Sequence, residues 1–214
     1  VKKKMTINLY SILTAYGTVY KINSQMNNVQ QFVNWTENTF KYVQYNPRKD
    51  IKRYGLSITS LDGGLSGRPD LDSLPEYNRE NNTLFDEKHF RTFTPVYEHE
   101  DLKQVLEPLK NNIFRSHILK LDQGGFFPPH RDIRGMNFNS FRLIIPLQNM
   151  GLPSLTFVVD NVMQNWELGC MHFVDTAKMH YLFNASHDPS YMIVLNIDLN
   201  EDTVKYVTNN LRYR

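Results

Sequence analysis

The rhythm of hydrophobic and polar positions changes near residue 112. Before that point, apolar residues recur at helical steps. Val29, Phe32, Val33, Trp35 and Phe40 fall at roughly three- and four-residue spacing among polar neighbours, which predicts an amphipathic helix over 27–40. Leu102, Val105, Leu106 and Leu109 repeat the pattern and predict a second helix over 101–109. Between them, 55–61 alternates well enough for a strand. Residues 62–82, rich in Asp, Gly, Ser, Pro and Asn, read as a long loop, the kind of segment that forms lids and binding surfaces.

After residue 112 the pattern becomes one of short apolar runs separated by turn residues. Strands are expected at 115–121, 141–147, 155–159, 171–175 and 192–199. The intervening stretches QGGFFPPHRD, QNMGLPS, DNVMQNWELG and NASHDPS each carry the Gly, Pro, Asn or Asp that turns require. Five strands at this spacing with no amphipathic helix between them predict a mainly β chain with flanking helices. The expected core is a jelly-roll or cupin-like double-stranded β-helix over 113–200, with an α/β part over 1–112 packed on it as one domain.

Composition narrows the chemistry only at a few points. At 41% hydrophobic and 21% charged the chain is of ordinary globular make-up. A net charge of +2 argues against a nucleic-acid partner, which would demand a basic excess. No run approaches the ~18 apolar residues of a membrane span. Asn8, Tyr10, Ser11 and Thr14 interrupt the apolar residues near the start, so no secretory signal is expected. The single Cys170 excludes an intramolecular disulfide and a Cys-rich zinc site. It reads as a small core residue in a reducing, cytoplasmic setting. Any metal must therefore be held by nitrogen and oxygen.

His130 and Asp132 stand two apart in PPHRDIRG, and His180 follows fifty residues after His130. On an extended chain the first two share a face. Two imidazoles and one carboxylate would form a facial triad suited to non-haem Fe(II), which keeps positions open for a cosubstrate and O2. The bland alternative is a loop histidine beside a solvated aspartate. Gly124 and Gly125 permit a tight turn before the pair, and Pro128 and Pro129 stiffen the approach. Arg142 lies within the apolar run FRLIIPL. A core arginine calls for an anion, either a ligand carboxylate or an internal Asp or Glu. Among the other histidines, His187 is the rival distal ligand, His172 reads as a core residue, and His89 and His99 read as solvated. Trp166 reads as core. His117, Arg115 and Leu119 alternate and are expected on one face, from which Arg115 would either reach a substrate carboxylate or form a surface ion pair.

The stretch FRSHILKLDQGGFFPPHRDIRGMNFNSFRLIIPLQN, with WELGCMHFVDTAKMHYLFNAS and SYMIVLNIDL, resembles the aspartyl/asparaginyl β-hydroxylase family, and within it the proline hydroxylase branch. The shared elements are the GG-x4-H-x-D turn, the arginine in the next strand, and H-x3-N from His180 to Asn184. The resemblance covers 114–199 and implies an Fe(II)- and 2-oxoglutarate-dependent dioxygenase that uses O2 to hydroxylate an amino-acid side chain, free or within a peptide or protein. It implies His130, Asp132 and His180 as iron ligands and Arg142 as a contact to the 2-oxoglutarate end carboxylate. An arginine that the family often carries about ten residues after the distal histidine is absent; Ser190, Tyr191 and Met192 stand there instead. A hydroxyl from Ser190 or Tyr191 is then expected to help Arg142. Arg115 and Arg134 are the candidates for a substrate carboxylate. The competing classes are a cupin-like binding module without turnover and a cupin enzyme using another metal.

Overall fold

The computed structural model describes residues 8–133 and 138–212. In chain order the strands are β1 (Val19–Gln25), β2 (Val43–Gln44), β3 (Arg53–Ser57), β4 (Thr59–Ser60), β5 (Thr92–Phe93), β6 (Ile113–Leu121), β7 (Phe126–His130), β8 (Ser140–Gln148), β9 (Leu155–Val159), β10 (Val162–Met163), β11 (Cys170–Val174), β12 (His180–Asn184) and β13 (Ser190–Asp198). The helices are α1 (Leu9–Thr14), α2 (Val29–Thr39), α3 (Leu74–Asn81), α4 (Glu100–Leu106) and α5 (Glu201–Asn209).

Strands β6 to β13 wind back and forth between two antiparallel sheets. The larger has the order β1-β11-β8-β13-β6-β3-β2, and the smaller β10-β9-β12-β7. This is the jelly-roll, or double-stranded β-helix, arrangement. Among the described residues, the part before residue 112 holds four α-helices, α1 to α4, where the sequence suggests two. It supplies β1 to one edge of the larger sheet and β2 and β3 to the other. No helix among the described residues is long and apolar enough to cross a membrane.

Alternation along the strands separates two cores. In β8, Phe141, Leu143, Ile145 and Leu147 face the helices, as do Tyr191, Ile193, Leu195 and Ile197 of β13. There they meet Leu13, Phe32, Val33, Leu102, Leu106, Val204 and Val207, and this explains the periodicity of those helices. Ile144, Met192 and Val194 face the other way, into the space between the sheets, with Leu119, Leu121, Phe157 and Leu182.

In β6 the alternation breaks once. Ile113 and Ile118 lie in the same helix-side core, although five residues apart. His117 pairs with Val194 but Phe114 with Asn196, so β6 carries one residue more than its partner. The extra residue is a β-bulge, and Arg115 takes φ 38 there, with its N–H donated to the Phe90 carbonyl at 2.7 Å. Arg115 therefore does not share a face with His117 and Leu119, contrary to the simple alternation.

The expected loop at 62–82 contains α3 and is pinned rather than lid-like. Asp72, 2% exposed, is ion-paired to Arg48 and Arg68, and Leu71 is buried. Asp70 accepts a hydrogen bond from Ser57 Oγ at 3.2 Å.

The turn between β6 and β7 aims the latter strand. Gly124 adopts φ 80 with open space beside its Cα, whereas a Cβ on Gly125 would collide with the backbone carbonyl oxygens of Lys52 and Asp122. Gly124→Ala is expected to lose about 1–2 kcal/mol from its left-handed backbone alone. Gly125→Ala is expected to lose about 3 kcal/mol, because two backbone carbonyls must yield. Urea denaturation midpoints check the order, and equal losses would show that close approach does not fix this turn.

Candidate metal centre

The last residue of β7 and the first of β12 are a cross-strand pair, so His130 stands directly opposite His180. Their ring centroids are 4.2 Å apart. His130 Nδ1 donates to the Pro128 carbonyl at 2.7 Å, and His180 Nδ1 donates to the Lys178 carbonyl at 3.0 Å. Because a carbonyl only accepts, these bonds fix the tautomer and leave both Nε2 atoms as lone-pair donors to a cation. Asp132 follows β7, held by its N–H to the Thr176 carbonyl at 2.8 Å. Its Oδ1 lies 3.7 Å from His130 Nε2. One ligand atom from each of the three residues falls within 4.8 Å of the others.

Burial holds His180, 3% exposed, neutral by pulling its pKa to about 4. Burial, reinforced by Arg142 and Arg115, lowers nearby His117 to about 3. The chemistry of this donor set fits a divalent cation: two neutral imidazoles of fixed tautomer and one carboxylate.

The triad lines a cavity of about 150 Å³ between the sheets. Leu119, Ile144, Phe157, Leu182, Met192 and Val194 make its walls apolar, and Thr176 Oγ1 is buried beside it without a hydrogen-bond partner. Arg142 also lines it, and here the internal ion pair prevails. Its Nη1 is 2.8 Å from Asp132 Oδ2, and its Nη2 donates to Asn196 Oδ1 at 3.1 Å.

The remaining expected site residues divide differently. Ser190 is fully buried at the other end of β13, donating to the Asn149 carbonyl at 2.8 Å, and does not line the cavity. It pairs with Leu121, six residues along the strand from Asn196, the partner of Arg142. Tyr191 faces the opposite side of the sheet, where its hydroxyl donates to Glu37 at 2.7 Å. Neither hydroxyl reaches the site. Arg115, turned by its bulge, bonds Glu87 at 3.0 Å and the carbonyls of Asp70 and Asp72 at 3.0 and 2.6 Å. It meets the cavity through Glu87, which lines it. Arg134 lies outside the described residues.

His187 sits on Gln123 at 3.1 Å, away from the triad. His172 and Trp166 pack together in the core with ring centroids 5.0 Å apart. His89 is exposed in a capping role, but His99 is half-buried between Phe32 and Trp35 rather than solvated. Cys170 is 1% exposed and burial raises its thiol pKa, so it is a core residue. Glu87, Tyr45, Phe127 and Thr176 line the cavity without having been singled out from sequence.

No family model matches the sequence, and no curated protein matches it. Among solved structures the chain is similar to an oxidoreductase of the 2OG-Fe(II) oxygenase family from Burkholderia pseudomallei, at 9% identity over 94% of each chain with a TM-score of 0.49. It is also similar to a Pseudomonas putida prolyl-4-hydroxylase, at 10% identity over 91% of this chain and 100% of that one, TM-score 0.48. A third similar structure is the Schizosaccharomyces pombe Cnp3 cupin domain, at 9% identity over 83% of this chain and 80% of that one, TM-score 0.38. At these identities and scores none of them bears on the chemistry of this chain.

The buried imidazoles set an acid limit on stability. His172, 2% exposed, has its pKa lowered to about 4 by burial. Below about 6.5 the unfolded chain takes up a proton that the native state refuses, so stability falls as pH drops from about 6.5 toward 4. In metal-free protein, His172→Gln is expected to reduce that slope by about 1.4 kcal/mol per pH unit. Urea midpoints measured across this range check it, and an unchanged slope would mean His172 protonates freely in the fold.

Proposed function

We propose that this chain is an Fe(II)- and 2-oxoglutarate-dependent oxygenase that hydroxylates an amino-acid side chain, free or within a peptide or protein. The observation that carries the reading is the His130–Asp132–His180 donor set, with both histidine tautomers fixed, lining a cavity between the sheets. Bound iron supplies the redox chemistry that converts 2-oxoglutarate, O2 and a C–H bond into succinate, CO2 and an alcohol.

The side chains have separable tasks. His130, His180 and Asp132 hold the metal through Nε2, Nε2 and a carboxylate oxygen. The carbonyls of Pro128 and Lys178 keep both rings in orientation. Arg142 acts through Asp132, fixing one carboxylate oxygen while Asn196 fixes the guanidinium. It is a positioning residue. The apolar walls keep water from the reacting atoms, and the walled volume of about 150 Å³ suits one small molecule beside the metal.

Anaerobic titration with Fe(II) is the first test. Wild type is expected to bind one equivalent, and His130→Ala and His180→Ala to lose more than the 10–100-fold that outer partners account for. Adding 2-oxoglutarate is expected to produce a weak visible charge-transfer band. Air with ascorbate is then expected to yield succinate, together with a +16 mass shift on a member of an amino-acid or peptide library. Metal binding without band or succinate would replace the oxygenase by a cupin-like binding module or an enzyme of another metal.

A further inference from the structure

Arg53 opens β3 and is 4% exposed. It pairs with Leu121 in register, as Gly55 pairs with Leu119 and Ser57 with His117, so its side chain enters the space between the sheets. Three partly buried arginines here each have a carboxylate. Arg142 has Asp132, Arg115 has Glu87, and Arg48 has Asp72 and Glu80. Arg53 has none among the described residues. Its contact to protein oxygen is a long one, Nη1 to the Phe126 carbonyl at 3.4 Å, and its Nε is buried with no partner. A guanidinium shielded from water without an anion is a costly arrangement, and it is kept where an anion arrives.

The position of the group says where that anion lies. The Arg53 Cζ is 4.3 Å over the ring of Phe127 and 5.4 Å from the ring of Tyr45. Both rings line the cavity of the metal centre. The Phe127 ring is in turn 6.2 Å from that of His130. A five-carbon chain extends about 5 Å between its end carbons, at the per-bond rise of an extended peptide. One small molecule can therefore span from the metal ligands to the aromatic pair that holds Arg53.

We infer that Arg53, caged by Tyr45 and Phe127, receives the carboxylate of a small ligand whose other end lies at the His130–Asp132–His180 triad. The inference rests on the metal-centre reading for the ligand's near end only. It removes the carboxylate-anchoring task from Arg142, whose charge Asp132 already takes up, and from Ser190, which is remote. The carboxylate belongs either to the 2-oxo acid cosubstrate or to a carboxylic acid substrate.

Calorimetry on the full chain, loaded anaerobically with Fe(II), separates these sources. Wild type is expected to bind 2-oxoglutarate at least tenfold tighter than 2-oxopentanoate, which keeps the chain length and lacks the second carboxylate. Arg53→Met is expected to erase that preference through a roughly ten- to a hundredfold loss for the diacid. Metal affinity and 2-oxopentanoate binding should stay unchanged, and Arg53→Lys should restore part of the preference. If the diacid preference survives in Arg53→Met but free amino acids lose their advantage over their amides, the carboxylate is the substrate's. If neither preference moves, Arg53 is only a packing residue held on two rings and the inference is overturned. Should wild type bind no metal, glutarate added to the metal-free protein still decides. A rise in Tm for wild type but not for Arg53→Met upholds the anion seat, and equal response in both rejects it.

Discussion

The cross-strand register of β7 and β12 is the constraint on which the site depends. Side chains in a sheet alternate, so His130 and His180 face the same space only because they occupy one pair position. A slip of one residue would send one imidazole to the outer face. The register is guarded on both sides. β9 pairs along the whole of β12, and the Gly124 N–H and Asn184 carbonyl, with the Asn184 N–H and Gly125 carbonyl, clamp the far end at 2.8 and 2.9 Å. The glycine turn thus fixes histidines about a strand's length away.

Charge inside the sandwich is handled by pairing and distance. Asp132 sits against Arg142, Glu87 against Arg115, and the Asp72 cluster pins the 62–82 segment beneath them. The histidines contribute no charge at neutral pH where burial holds them neutral, as it does for His117, His172 and His180. The cavity lining therefore mixes apolar side chains with polar ones that are neutral or paired. A ligand entering the cavity meets imidazoles and a carboxylate already held in place by hydrogen bonds and an ion pair, with little reorganisation required.

Much of this was legible in the order of residues, and the failures have physical causes. The helix at 27–40 and β6, β8, β11 and β13 of the larger sheet could be read because each buries a continuous face, in step with its own period. β7 was hidden by Pro128 and Pro129, which an edge strand tolerates since its outward groups need no ladder partner. β12 and β1 are short or polar enough to lack a clear pattern. The triad could be named because its spacing is local to two strand ends. Ser190 was misplaced because sequence distance from His180 cannot show at which end of β13 a residue lies. Arg53 left the same mark as Arg142, a charge within an apolar strand, but KRYGLSIT is short and the mark passed unread. Arg115 was misassigned because a bulge is invisible to strict alternation.

That bulge gives β6 two phases on a single strand. Residues before Arg115 are read in one frame and those from His117 to Leu121 in the other, with the backbone anchored at the switch by the Phe90 carbonyl. The inner frame is set by pairing with β13 and β3 and owes nothing to the count of residues upstream. The chain entering the sandwich can therefore gain or lose length over evolutionary time without rotating the cavity floor. The extra residue uncouples the phase at the start of β6 from that of its cavity-lining stretch.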